Sequence, residues 1–347
     1  MINYISYRIG IKKLQEIIGK QHEKYLDVTN YQNQLLENLN EVESFGDNEN
    51  LRSNRYKLLN QIDKLALETT GKEFSQFCKP DPIEIKLGEP TSEDDAVWHK
   101  FQEPEMFFIP PGPFIMGSPA ELDPDASESE YPLHVVNLSA FYIASEPVTN
   151  VQFATFTIDT NHTRPDHWNG QLPSIEIHDH PIVNISWHSA FAFCNWLRNL
   201  THKNYRLPTE AEWEKAARGE HALLFPWGNK WEINYANTHE LRLEKTTSVN
   251  NFPNAKSPYG LLNMSGNVYE WTSSLWDTTV YNYPYIPNDD RESLERPSDA
   301  SCVIRGGSFL WNKKYARCAS RSSLRSNRSR QDVGFRLALS PFRSNPI

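Results

Sequence analysis

The sequence predicts an α+β protein, a small helical bundle followed by a larger loop-rich domain of short strands and a few helices. Residues 1–78 contain no Trp and no Pro, and their apolar residues fall at helical spacing. After Glu103 the apolar runs shorten, alternate, and are broken by Pro and Gly turns. Only two later segments carry well-marked helix starts. The chain has 347 residues, 38% of them hydrophobic and 12% aromatic with ten Trp, enough to fill a core in each part.

The opening "MINYISYRIGIKKLQ" has no continuous apolar run, so no signal peptide is expected. Tyr31, Leu35, Leu39 and Val42 form one apolar stripe, and Leu51, Leu58, Ile62 and Leu65 another. "SFGDNEN" separates them, and Gly71 in "TTGK" suits the position just past a helix end. Residues 1–78 therefore read as about three helices. A bundle that small is marginal alone, so the Leu35/Leu39 and Leu58/Ile62 stripes are expected to meet a partner.

Residues 79–103, rich in Pro and acids, read as a linker. The second domain is expected over 104–342. "PLHVVNLSAFYI" and "VGFRLALS" alternate as strands do, and Phe335, Leu337 and Leu339 should line one buried face. Ser186 precedes "WHSAFAFCNWLRNL"; Thr209 and Glu212 form a capping box, and Gly219 stops that helix. No internal repeat or low-complexity segment is present. "MFFIPPGPFIMG" is too short and too broken by prolines to span a membrane.

The net charge of −9 argues against a nucleic-acid coat but leaves room for a local basic patch. Cys78, Cys194, Cys302 and Cys318 lie far apart and form no CxxC pair, the pattern of a reduced, cytoplasmic protein with packing thiols. Glu210 and Glu212 could be an acid/base pair; their place in a first helical turn favours capping. His178 and His180 in "EIHDHP" could bind a metal, but two histidines in a loop beside Pro181 read better as a polar turn.

"FFIPPGPFIMGS", "EPVTNVQF", "ISWHSAFAFCNWL", "YRLPTEAEWEKAARG", "FPWGN", "SPYGLLNMSGNVYEWTSS", "IRGGSF" and "DVGFRLA" occur in this order. Over roughly Glu103 to Ser340 the chain resembles the formylglycine-generating enzyme (sulfatase-modifying factor) family. The resemblance implies an elaborated C-type lectin fold and, in the enzyme, oxygen activation at copper held by two cysteine thiolates. Here the matching stretch, Phe309 to Arg317, contains no sulfur and is shorter than in the enzyme. Cys318 and Cys194 match halves of family disulfides whose partner positions read Ala216 or Ala217 and Leu337. Both are expected to be buried free thiols. Ser308 matches a pocket residue of the enzyme, but no copper is expected. The iron of the related sulfoxide synthases needs three histidines, and only His22 precedes the linker.

"NMSGNVYE" resembles a family calcium site built from side-chain oxygens of Asn263 and Glu270 and carbonyls of Gly266 and Val268. A structural Ca2+ is one reading, and a turn closed by Asn263 with an ion-paired Glu270 is the other. "LRSNRYKLLNQIDKLALETTGKEFSQFC" is similar to helical effector-associated segments that precede caspase-like proteases and signalling NTPases in bacteria. That resemblance implies an adaptor that docks on such a partner; a plain helical extension packed on its own domain is the alternative.

The segment from Arg305 to Arg336 holds nine Lys or Arg and one acid, Asp332. Serines separate its arginines, no aromatic residue interleaves them in "RSSLRSNRSRQ", and no nucleic-acid motif is present, so nucleic acid is disfavoured. Aromatic, Arg, Ser and Asn side chains on loops suit protein recognition. Gly306, Gly307 and Ser308 should set a turn. Trp311, Asn312, Lys313, Lys314, Tyr315, Ser320, Ser322, Ser323, Arg325, Asn327 and Arg328 are then the candidate ligand-binding residues. In some members of the fold superfamily this stretch is a hypervariable, retroelement-diversified ligand surface. The resulting reading is a non-catalytic protein- or ligand-binding module on a helical signalling adaptor. Its alternatives are a formylglycine-generating oxidase that joins Cys302 to Cys318 and acts on a sulfatase-type cysteine, and a nucleic-acid-associated protein.

Overall fold

The structure is a computed structural model and describes residues 4–19, 22–45, 49–78, 83–84, 100–118, 123–168, 170, 172–277, 279–281 and 283–340. Helices α1 (Tyr4–Ile18), α2 (Tyr25–Phe45) and α3 (Glu49–Thr70), with the short α4 (Phe74–Phe77), form the expected bundle. Gly71 adopts φ +73° and its N–H closes the end of α3 on the Leu67 carbonyl. α1 crosses closely over Cys78, because a Cβ on Gly10 would lie 2.6 Å from its Sγ. The buried Arg55 donates to Asn38 (2.9 Å) and ties α3 to α2.

The two stripes do not wait for another molecule. Leu35, Leu39, Leu58 and Ile62 are buried, and one apolar cluster runs from them through Ile11 and Leu14 to Phe101, Met106 and Phe108. The expectation that these stripes bind a partner is therefore corrected. Helical periodicity shows that a face is apolar, and here the chain's own neighbouring helices cover it.

Of the expected linker, 83–84 and 100–103 lie within the described residues. β1 (Ile83–Glu84) pairs antiparallel with β2 (Lys100–Phe101). Phe101 is buried edge-on against Trp196 (5.1 Å between centroids), and Glu103 is buried beside Lys203 (2.6 Å).

The second domain adds β3 (Met106–Ile109), β4 (Gly112–Met116), β5 (His134–Leu138), β6 (Phe141–Ala144), α5 (Asn150–Thr160), α6 (Trp187–Thr201), β7 (Tyr205–Arg206), α7 (Glu210–Arg218), β8 (Tyr269–Leu275), β9 (Ser301–Arg305), β10 (Arg321–Arg325), β11 (Val333–Phe335) and β12 (Ala338–Leu339). One four-stranded sheet runs β10-β9-β8-β11, another β3-β6-β12-β7, and β4 and β5 form a separate ribbon. Ser186 accepts from the Ser189 N–H at the start of α6. Thr209 and Glu212 form a reciprocal capping box at the start of α7. α5 and α6 meet through Phe153 and Phe193, stacked at 5.8 Å, with Phe335 against both.

"VGFRLALS" is two strands rather than one. β11 lies parallel to β8 in the first sheet, and β12 lies between β6 and β7 in the second. Both faces are covered, so Arg336 is buried along with Phe335, Leu337 and Leu339. Among the described residues no helix is long and apolar enough to cross a membrane.

Candidate functional site

The basic segment divides into side chains that point inward and side chains that reach solvent. α7 supplies the inward partners. Glu214, fully buried, accepts from Arg218 (2.7 Å), from the Gly117 N–H (2.7 Å) and from Arg305. Glu210, one turn earlier and also buried, accepts both Nε and Nη2 of Arg321 at 2.8 Å and one nitrogen of Arg291 at 3.3 Å. Burial alone would raise the Glu210 carboxyl; Arg321 and Arg305 outweigh it and hold the group below the usual carboxylate range. Arg317 reaches Glu130 and Asp123, and Arg336 grips Glu270 through two nitrogens. Glu210 is thus more than a first-turn charge: it joins α7 to β10 and to the loop before β9.

Gly306 (φ +96°) and Gly307 (φ +72°) form the expected turn, and a Cβ on Gly307 would meet the Tyr315 carbonyl at 2.8 Å. The turn delivers Ser308 to Asp332. That carboxylate is buried and accepts from the Ser308 hydroxyl (2.7 Å), the Trp311 indole N–H (3.2 Å) and two Arg330 nitrogens (2.9 and 2.6 Å). Arg330 also lies over the Tyr269 and Trp311 rings. The pocket position of Ser308 is therefore closed by an ion pair. Sequence reasoning missed Asp332 and Arg330 as the residues that organise it; their opposite charges two residues apart were the available signal.

Outward from this pair, Trp311 (39% exposed), Asn312, Lys313, Lys314, Arg325, Asn327 and Arg328 reach solvent, as does Leu310. Asn312 caps the short 3-10 turn Lys313–Ala316, accepting from the Lys314 N–H at 3.1 Å. The loop holding Glu240 braces this turn through the Lys313 N–H (2.9 Å), and the Trp311 carbonyl accepts from the His239 N–H (3.0 Å). Ser322 and Ser323 are half-buried. Two candidates turn inward, one of them only in part. Ser320 is buried, and the Tyr315 ring packs against the main apolar cluster while making an edge contact with Trp311 (4.9 Å).

Three of the four calcium donors already accept hydrogen bonds. Both Glu270 oxygens are taken by Arg336, and Oε2 also accepts from Trp213 (2.7 Å). Asn263 Oδ1 accepts from the Asn267 amide (3.1 Å), and the Gly266 carbonyl from the Val268 N–H (2.9 Å). A cation here would compete with the fully buried Arg336 guanidinium for the Glu270 carboxylate, which favours the ion-paired turn of the two readings. The melting temperature is expected to be equal in millimolar calcium and in chelator, while Glu270→Gln lowers it. A calcium-dependent rise abolished by Asn263→Ala would contradict this.

The cysteines do not fit copper either. Cys302 and Cys318 are both buried and belong to different apolar clusters. Burial pushes the Cys302 thiol up to about 11 and the Cys318 thiol up to about 12, away from the thiolate form that Cu(I) needs. Cys194 is buried and free, as expected. His178 and His180 form the polar turn, bonded to the Ile175 carbonyl (2.6 Å) and to Thr246 (3.0 Å).

The loop between β8 and β9 carries Glu292, whose carboxylate is enclosed by the hydroxyls of Ser273, Ser274 and Tyr285. Burial pushes it up to about 7 despite the serine hydrogen bonds, and Glu210 and Glu212 add to the rise. A carboxyl raised on folding contributes stability at acid pH that is lost as pH climbs through about 7. The melting temperature should fall between about pH 5 and 7 more steeply in the natural protein than in Glu292→Gln, and the difference in slope should vanish above that range. Parallel pH profiles would contradict the assignment.

Residues 93–341 match the sulfatase-modifying factor enzyme 1-like domain. Formylglycine-generating enzyme of Bos taurus is 31% identical over 67% of this chain and 74% of its own length. That of Thermomonospora curvata is 32% identical over 68% and 93%. Among solved structures, PvdO from Pseudomonas aeruginosa superposes with TM-score 0.58 at 26% identity, covering 69% of this chain and 95% of that one. Treponema denticola variable protein 1 gives 0.56 at 24%, covering 76% and 100%, a likeness of fold.

Proposed function

Because this chain belongs to the sulfatase-modifying factor enzyme 1-like family, we propose that it keeps the family fold as a non-catalytic protein- or ligand-binding module. The observation that carries the reading is the separation of Cys302 and Cys318 into different apolar clusters, with Ser308 spent on Asp332. A copper oxidase needs two thiolates on one metal, and neither thiol is exposed or poised to ionise. What the segment offers instead is Leu310, Trp311, Lys313, Lys314, Arg325 and Arg328 on the surface, a mixture of aromatic and cationic anchors suited to protein recognition. The retroelement-diversified reading of 309–331 rests on the same exposed side chains.

The test is incubation with copper, reductant and a sulfatase-type cysteine peptide, followed by mass spectrometry. No formylglycine should form. Turnover that Cys318→Ser abolishes would overturn the reading in favour of an oxidase.

The helical segment is proposed as an adaptor for a caspase-like protease or NTPase. With its stripes covered, contact falls to its outer face, where Leu26 and Tyr56 are each 68% exposed.

A further inference from the structure

We infer that the outer edge of β10 receives an extended, acidic segment of a partner protein as an added strand. The inference rests on the binding-module reading above and names the partner chemistry of that surface. β10 is the end strand of its sheet, paired on one side with β9 from Arg321↔Arg305 to Arg325↔Ser301. Beyond that ladder and the Arg328 N–H on the Arg325 carbonyl, no backbone hydrogen bond of 321–325 is made among the described residues. Alternate N–H and C=O groups therefore face outward, the template that strand addition uses. The strand is rigid where it matters, because Leu324 packs on the apolar cluster and Arg321 is fastened to Glu210.

Charge selects the occupant. A second copy of β10 added antiparallel about Ser323 would set Arg321 opposite Arg325, like charges directly across the ladder, which is unfavourable. Arg325 and Arg328 are exposed along this rim, and the exposed Asp299 on the approach to β9 leaves it net positive. Small, half-buried Ser322 and Ser323 leave room for an incoming side chain on each face. A nucleic acid would use the guanidinium groups but has no ladder to offer the strand amides. An extended peptide bearing carboxylates uses both.

The experiment selects binders to the full chain from an unbiased displayed library of twelve-residue peptides, then measures amide exchange with the best of them bound. Expected are acidic peptides that slow exchange within Arg321–Arg325, lose binding at least tenfold in Arg325→Glu, and lose it again when alternate peptide nitrogens are methylated. Neutral or basic binders, acidic binders that leave 321–325 unprotected, no enrichment, or tighter binding of a twelve-residue thymidine oligonucleotide would each overturn the inference. Binders that depend on Trp311 without protecting β10 overturn the strand addition while leaving the binding module standing. Formylglycine turnover in the copper and peptide assay would remove the module reading itself.

Discussion

Glu214→Ala is expected to destabilise the protein by about 3–5 kcal/mol, far more than the loss of any exposed side chain of the basic segment. The side chain sits at zero exposure between Arg218 and Arg305, and it also holds the Gly117 N–H. Removing it leaves the buried Arg218 without its carboxylate and Arg305 with only the longer contact to Glu210 (4.0 Å), and the cost arises from those stranded charges more than from the bond itself. Thermal or denaturant unfolding measures it directly, with Lys313→Ala as an exposed control expected within about 0.5 kcal/mol of the natural protein. Equal stability of the two variants would mean that the buried arginines do not depend on α7.

Trp311→Ala is expected to act on binding instead. Central aromatic anchors carry a large share of such interfaces, so affinity for a protein ligand of the exposed 309–328 surface should fall by about 2 kcal/mol or more, roughly thirtyfold in Kd. Its stability cost should be far smaller than that of Glu214→Ala, because the ring is 39% exposed and gives up one hydrogen bond, one edge contact and the Arg330 guanidinium over its face. Tyr315→Ala should do the reverse, since that ring is packed against the core. Unfolding by Trp311→Ala with intact affinity in the folded remainder would make the segment structural.

What could be read from the sequence was local. The Thr209–Glu212 capping box, the Ser186 cap and the glycine after α3 depend on residues within four positions, and each forms as expected. The family motifs carried the fold, because turn residues and aromatic plugs keep their order along the chain. The ion pairs were hidden because they are distant: Arg321 meets Glu210 across 111 residues and Arg317 meets Glu130 across 187. The motifs assign only Arg305 and Arg336 to the fold, whereas Arg317, Arg321 and Arg330 are paired with buried acids as well. The apolar stripes of α2 and α3 were placed correctly, but periodicity carries no record of what lies opposite them.

Whether the fold has given up its copper chemistry is decided by a Cu(I) titration of the reduced full chain, in competition with a chromophoric chelator. No stoichiometric uptake is expected, and no difference between the natural protein and a Cys302→Ser, Cys318→Ser double variant. Tight binding of one copper per chain that disappears in the double variant would contradict the non-catalytic reading, because the two thiols would then have met at a metal.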